Sequence, residues 1–257
     1  MKIAVAGGTG AVGRHVVDVV RETGHQPAVF TRSTGVDLVT GDGLADALSG
    51  VDVVIDVASV QTMSDAGSRA FFGAATRNLL AAETAAGVRH HVVLSIVGVD
   101  DAPHAYYAGK LLQEQLVEAG PVPVPWTILR ATQFHEFAAQ LHARMKFGPI
   151  VVVPALQSQP VAAREVAERL VALAVATPAG RVADLAGPRV ERMSDLVRRW
   201  SVATGRRGRV VEVPLPGAYG RAMRDGTLLA RPGSDLGVQT FDEWMAAAAA
   251  KGHPQGS

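Results

Sequence analysis

Two groups of residues in this chain have the types and the spacing to do chemistry. The first is GGTGAVG, with glycines at Gly7, Gly8, Gly10 and Gly13. The spacing satisfies G-x-G-x-x-G counted from Gly8 and G-x-x-G-x-x-G counted from Gly7. Between a strand and a helix, such a turn attracts an anion, because a helix N-terminus carries unpaired N–H groups and a partial positive charge. In that setting Gly7 permits the tight turn. Gly10 removes a side chain that would block a pyrophosphate, and Gly13 lets the helix pack close to the strand. The second group is Tyr106-x-x-x-Lys110 in YYAGK. One helical turn apart, the two share a face. An ammonium beside a phenol favours the phenolate and brings a donor of pKa about 10 toward working pH. Ser95, in LSIVGVD, is placed to orient a substrate carbonyl and to stabilise charge developing on its oxygen.

The elements that must position these residues are legible around them. Ile3 to Ala6 reads as a buried strand. Ala11 to Thr23 reads as a helix, with Val12, Val16, Val17, Val19 and Val20 at helical spacing and Gly24 as its cap. Pro27 to Thr31 reads as a second strand. That strand–turn–helix–strand context makes Gly7, Gly8, Thr9, Gly10, Ala11, Val12 and Gly13 the expected cradle of a dinucleotide. An NAD site places an acid roughly 20 residues on, to hold the ribose 2′-hydroxyl. This chain has Thr31, Arg32 and Ser33 there instead. A guanidinium suits a 2′-phosphate, so the expected cofactor is NADP(H).

Further on, VDLVTGD is expected as a third strand, GLADALSG as a short helix and VDVVIDVA as a fourth strand. A helix over Ser68 to Gly87, a strand at HHVVLS, a helix over Tyr106 to Ala119 and a strand at WTILRA follow. The prolines of GPVPVPW shape the turn into that last strand. Strands alternating with helices predict an α/β fold with a doubly wound parallel sheet. Ligands of such sheets lie beyond the carboxyl ends of the strands. That points to Ala58 and Ser59, whose small side chains leave room for a cofactor, and to Ser95. It also points to Thr132 beside the cofactor and to Gln133, Phe134 and His135 on the substrate side. His90 and His91 read as edge residues before a buried strand. His135, Glu136 and His142 lack H-E-x-x-H spacing, so no metal site is expected.

The second half gives a strand at PIVVVP, an amphipathic helix over Ala162 to Ala176 and a short strand in RVADLAGP. Gln159 is expected to bring the chain back over the active site. Ser194 is read as the N-cap of DLVRRWSVATG. GRVVEVPLP is expected as a strand, with AYGRAMRDGTLL and TFDEWMAAAAA as helices that cap the substrate. The expected organisation is a dinucleotide-binding domain over 1–150, a C-terminal lobe over 151–250 and a disordered tail over 251–257. Across 257 residues, 48% are hydrophobic and the formal net charge is +1 with basic residues scattered. That argues against a nucleic-acid partner. The absence of cysteine excludes thiol catalysis. No apolar run reaches the roughly 20 residues of a membrane span. A cytoplasmic monomer or homodimer acting on a small molecule is the expectation.

GGTGAVG, LSIVGVD, YYAGK, TILRATQFHEF and TFDEWM together resemble the NmrA-like members of the atypical short-chain dehydrogenase/reductases, over Met1 to about Ala250. The resemblance implies a Rossmann sheet of strand order 3-2-1-4-5-6, NADP binding and a small C-terminal α/β substrate lobe. It also places the family's Ser, Tyr and Lys on Ser95, Tyr106 and Lys110, with the lysine contacting the nicotinamide ribose. The implied activity is NADPH-dependent reduction of a small carbonyl or quinone-like compound. A redox sensor, an epimerase or isomerase, and a reductase of conjugated C=C bonds are the alternatives on the same fold. The family's assisting Asn has no secure counterpart, since Asn78 in TRNLL falls in a helix, and Tyr107 competes with Tyr106 for the acid's role.

Overall fold

The computed structural model describes residues 1–119 and 124–250. The turn expected at GPVPVPW lies partly, and the expected disordered tail wholly, outside the described residues. In chain order the elements begin β1 (Lys2–Ala6), α1 (Gly13–Glu22), β2 (Gln26–Phe30), a 3-10 turn (Arg32–Thr34), α2 (Leu44–Ala47), β3 (Val53–Asp56), α3 (Asp65–Ala86), β4 (His90–Ile96), α4 (Tyr106–Ala119) and β5 (Trp126–Ala131). There follow α5 (Glu136–Arg144), β6 (Lys146–Phe147), β7 (Ile150–Pro154), β8 (Gln157–Ser158), α6 (Ala163–Val175) and β9 (Gly180–Arg181). The remainder is β10 (Leu185–Ala186), β11 (Glu191–Arg192), α7 (Met193–Ala203), β12 (Arg209–Val213), α8 (Gly217–Arg224), β13 (Asp235–Leu236) and α9 (Phe241–Ala250).

The chain forms two compact units. Residues 1–130 and 164–183 make the first; residues 131–163 and those from Asp184 onward make the second. The path therefore passes between units three times, where the sequence suggests one cut near residue 150.

The first unit is a Rossmann-like α/β fold. Its strands lie in the order β2-β1-β3-β4-β5, with β9 beside β5. β1 pairs in parallel with β2 and β3, and β3 with β4. Ile3 to Ala6 and all of β3 are buried, as strands covered on both faces must be. The apolar stripe of α1 is buried at Val16, Val17, Val19 and Val20.

The expected third strand is absent. Over Val36 to Asp42 the chain turns on itself: the Asp37 carboxylate accepts from Val39 N at 2.8 Å, and the Asp37 carbonyl accepts from Gly41 N at 2.9 Å. Asp and Gly supply local backbone bonds that outcompete a ladder here. Asn78 donates to the Leu38 and Val39 carbonyls at 3.1 and 2.8 Å, so it braces this turn. The parallel order is thus the expected one without its outer strand.

His90 and His91 are not edge residues. Both lie within β4 and are buried. His90 Nε2 meets Thr127 Oγ1 at 2.8 Å and His91 Nδ1 meets Glu83 at 2.8 Å. Burial pushes the Glu83 carboxyl up, with His91 opposing. Burial also works against a charged His91, but the charge and hydrogen bond of Glu83 together with the Asp56 charge outweigh it and hold the imidazole above its usual range.

In the second unit β7 runs between β12, in parallel, and β6, antiparallel. β8 pairs with β11, and β10 with β13. Ser194 is not a cap: Arg192 holds that position, and the Ser194 hydroxyl donates to Glu212 at 2.5 Å. Among the described residues no helix is long and apolar enough to cross a membrane.

Candidate active site

The glycine turn joins the end of β1 to α1. Gly7 has φ +82°, and a Cβ there would lie 2.7 Å from Ala58 Cα; a Cβ on Gly13 would lie 2.1 Å from the Gly7 carbonyl oxygen. Both positions are glycine because backbone passes against backbone. Gly10 is different. A Cβ there would meet nothing nearer than the Gly7 carbonyl oxygen at 3.3 Å, and the residue is exposed. Val12 holds the N-cap position without a side-chain hydrogen bond, so no side chain of its own covers the N-terminus of α1. An open Gly10 and an uncapped helix start fit a pyrophosphate. The Val12 side chain is buried in the core, so only its backbone can face a ligand.

Arg32 follows β2 at the same end of the sheet, since Phe30 pairs in register with Ala6. Thr31 caps the 3-10 turn, accepting from Thr34 N at 3.2 Å and meeting Ser33 Oγ at 2.8 Å. That leaves Arg32 exposed, with no hydrogen bond or ion pair to its guanidinium among the described residues.

Contact by contact, the glycine turn leads to the tyrosine. Gly7 lies against Ala58, Ser59 follows, and Ser59 Oγ is 3.2 Å from the Tyr106 hydroxyl. The ring of Tyr106 packs edge-on against Phe72 at 5.4 Å. Its backbone is held from α3: Ser68 Oγ donates to the Tyr106 carbonyl at 2.9 Å, and Asp65 accepts from Ala105 N at 2.6 Å. Ala105 itself has φ +51°, a conformation alanine rarely takes. Gly109 matters here too, because a Cβ on it would lie 2.2 Å from Ser68 Oγ. The small residue in YYAGK lets α3 and α4 close together. Tyr107 is buried, and it is the hydroxyl of Tyr106 that meets Ser59.

Lys110 departs from the sequence expectation. Its ammonium does not lower the tyrosine's pKa. Burial pushes Tyr106 up to about 12; the Ser59 hydrogen bond opposes this and the Asp56 charge adds to it. Lys110 is 3% exposed and donates to the Leu94 carbonyl and to Gln113 Oε1, both at 2.6 Å, with its Nζ 4.6 Å from the Phe72 ring centre. Burial brings it down to about 8, against the pull of Asp56 and Glu114. That drop is a net cost of roughly 3 kcal/mol for the charged form, enough to make its protonation conditional near neutral pH. Ser95, next after Leu94, is 4% exposed, and its hydroxyl has no hydrogen-bond partner among the described residues. A buried hydroxyl left open in this way is suited to a ligand's oxygen.

The remaining candidates belong to the second unit, where each is engaged. Thr132 Oγ1 donates to the Gln159 carbonyl at 2.5 Å, and Gln133 Oε1 accepts from Ser158 at 2.9 Å. Phe134 bridges to Val161. The Gln159 amide donates to the Gly187 carbonyl at 2.9 Å and accepts from Ala230 N at 3.3 Å. His135 is 1% exposed, meets the Gln239 carbonyl at 3.0 Å and packs against Phe241 and Trp244. The expected floor is in this sense internal framework of its own unit.

Asp56 and Gln113 were not anticipated. Asp56 sits inside the apolar run VVIDVA, an acid where a buried strand wants none, and that was the available signal. Among the described residues no group of three or more His, Cys, Asp or Glu is arranged to hold a metal ion.

Residues 7–177 match a protein-family model described as NAD(P)H-binding. A 144-residue stretch is 33% identical to the (4-alkanoyl-5-oxo-2,5-dihydrofuran-3-yl)methyl phosphate reductase of Streptomyces griseus, covering 51% of this chain and 48% of that protein. The chain thus aligns with about half the length of this relative. Among solved structures, a short-chain dehydrogenase/reductase superfamily protein from Agrobacterium tumefaciens with bound NAD superposes with a TM-score of 0.67 at 22% identity, over 97% of this chain and 96% of that one. An NADPH-dependent quinone oxidoreductase from Escherichia coli gives 0.67 at 16% identity, over 96% and 99%. At these identities the structures speak for the fold.

Proposed function

The chain belongs to the NAD(P)H-binding family, and from that premise we propose that it is an NADPH-dependent reductase of the short-chain type, acting on a small carbonyl or quinone-like compound. The observation that supports the reading is the run of contacts from Gly7 through Ala58 and Ser59 to the Tyr106 hydroxyl, which brings the glycine turn and that hydroxyl to one end of one sheet. The reductase relative supports the reaction class. When bound, a reduced nicotinamide supplies hydride. The chain's own residues supply the rest. Ser95 donates its open hydroxyl to the substrate oxygen, and Tyr106, protonated throughout the working range because burial raises its pKa, gives that oxygen its proton. Ser59 holds the phenol in place. A cytoplasmic location and action as a monomer or homodimer complete the proposal.

The test is NADPH oxidation at 340 nm with a panel of aldehydes, ketones, enones and quinones. Turnover with any of them supports the reading. Tight NADPH binding with no turnover across the panel replaces it with a redox sensor. NADPH should bind several-fold more tightly than NADH, and Arg32→Asp should reverse the order, because a carboxylate repels a 2′-phosphate and suits a free hydroxyl. Calorimetric titration with both cofactors measures this, and equal affinities in the parent protein would refute it. Ser59→Ala should slow turnover about fivefold, the scale of one hydrogen bond, while Ser59→Thr keeps the rate. Equal rates for Ser59→Ala and the parent would remove Ser59 from the reaction.

A further inference from the structure

Beneath the reading above, and resting on it only for its catalytic consequence, lies a buried polar chain. Asp56, Gln113 and Lys110 are 1%, 1% and 3% exposed. Lys110 Nζ donates to Gln113 Oε1 at 2.6 Å, and Gln113 Nε2 donates to Asp56 Oδ2 at 2.8 Å. The other Asp56 oxygen accepts from Ala58 N at 2.9 Å, and Lys110 also donates to the Leu94 carbonyl. The chain therefore links the residue before Ser59 to the residue before Ser95. An amide in the middle accepts from the ammonium and donates to the carboxylate, so both charges are satisfied without touching.

We propose that Asp56 and Gln113 are positioning residues that keep Lys110 protonated and fixed at the end of β4. Burying a lone ammonium is costly, and a buried lysine without a counter-charge gives up its proton. The groups that bear on this one can be named by element. β3 presents Asp56 and α4 presents Glu114, Gln113 and Tyr106. α3 presents the face of Phe72. β4 presents the Leu94 carbonyl and carries His91, which pairs with Glu83 of α3 and feels Asp56 in turn. Glu114 is neutralised from β5 and β9 by Arg130 and Arg181. Asp56 is thus the carboxylate joined to Lys110 through a hydrogen-bonded path, and Gln113 is that path. A lysine held this way serves the site as fixed positive charge beside Ser95, and its hydrogen bonds turn it toward the Leu94 carbonyl.

The experiment reads Lys110 itself in the cofactor-free protein. The chain has four lysines, Lys2, Lys110, Lys146 and Lys251, so ¹³Cε-lysine labelling gives a spectrum in which the Lys110→Met variant identifies the resonance. In the parent it should titrate near 8. In Asp56→Asn, which keeps the shape and loses the charge, and in Gln113→Met, which keeps the volume and loses both bonds, it should titrate about one pH unit lower. Circular dichroism confirms that each variant is folded. An unchanged or higher midpoint in both folded variants overturns the proposal. So does a global loss of fold in both, which would make the chain a structural element of the core. The pH profile of kcat is then measured in the same proteins. If the resonance moves and the alkaline limb of kcat moves with it, Lys110's charge is used in turnover. If the resonance moves and the limb does not, the positioning stands and the catalytic reading of Lys110 fails.

Discussion

Tyr106→Phe should lower turnover by roughly two to four decades, the scale of losing a positioned proton donor, with NADPH affinity little changed. Only a hydroxyl is removed. The ring keeps its edge-on contact with Phe72, and α4 keeps its anchors on Ser68 and Asp65. Tyr107→Phe should be nearly silent in the assay, because Tyr107 points about 100° around the helix and is buried. Steady-state kinetics on the two variants decide between them. A dead Tyr107→Phe beside an active Tyr106→Phe would move the acid by one residue. If neither matters in an active enzyme, protonation comes from water. The pH profile adds a sign. Tyr106, pushed up to about 12, stays protonated in the ordinary range, whereas Lys110, brought down to about 8, loses its charge as pH rises. Reduction that relies on the ammonium should therefore fall above about pH 8, and Tyr106→Phe should retain that limb in its residual rate.

Gly10→Val should abolish NADPH binding and leave the fold intact. The separation follows from the three glycines. At Gly10 an added side chain meets only the Gly7 carbonyl oxygen, at 3.3 Å, and otherwise projects into open space, where a pyrophosphate would lie. At Gly13 the same change drives a Cβ to 2.1 Å from the Gly7 carbonyl oxygen, so Gly13→Val should unfold the turn and cost several degrees in Tm. Thermal melts and NADPH titration on both variants measure the contrast. Normal binding by a folded Gly10→Val protein would mean that the cofactor does not sit on this turn.

How far such variants could be chosen in advance depends on what each residue interacts with. The dinucleotide turn was legible because its determinants are local: a strand, four glycines at fixed spacing and a helix stripe lie within 20 residues, and each demands its residue type by backbone geometry alone. The helix Tyr106–Ala119 and the strand Trp126–Ala131 fall where the spacing puts them, for the same reason. The segment Val36 to Asp42 reads as a strand from its apolar residues Val36, Leu38 and Val39 but forms none, because Asp37 and Gly41 close a turn that Asn78, from α3, then holds. Its tertiary partner could not be read from the segment. Tyr106 and Lys110 are recognisable as a pair one helical turn apart, yet what each side chain does depends on partners far along the chain: Ser59, Leu94 and, through Gln113, Asp56. Spacing alone favours an ammonium that acidifies the phenol. The fold instead half-buries Tyr106 against Phe72 and Ser59 and turns the lysine toward a backbone carbonyl and an amide. Hydrogen-bond direction and desolvation come from tertiary packing, and they set the direction in which both pKa values move.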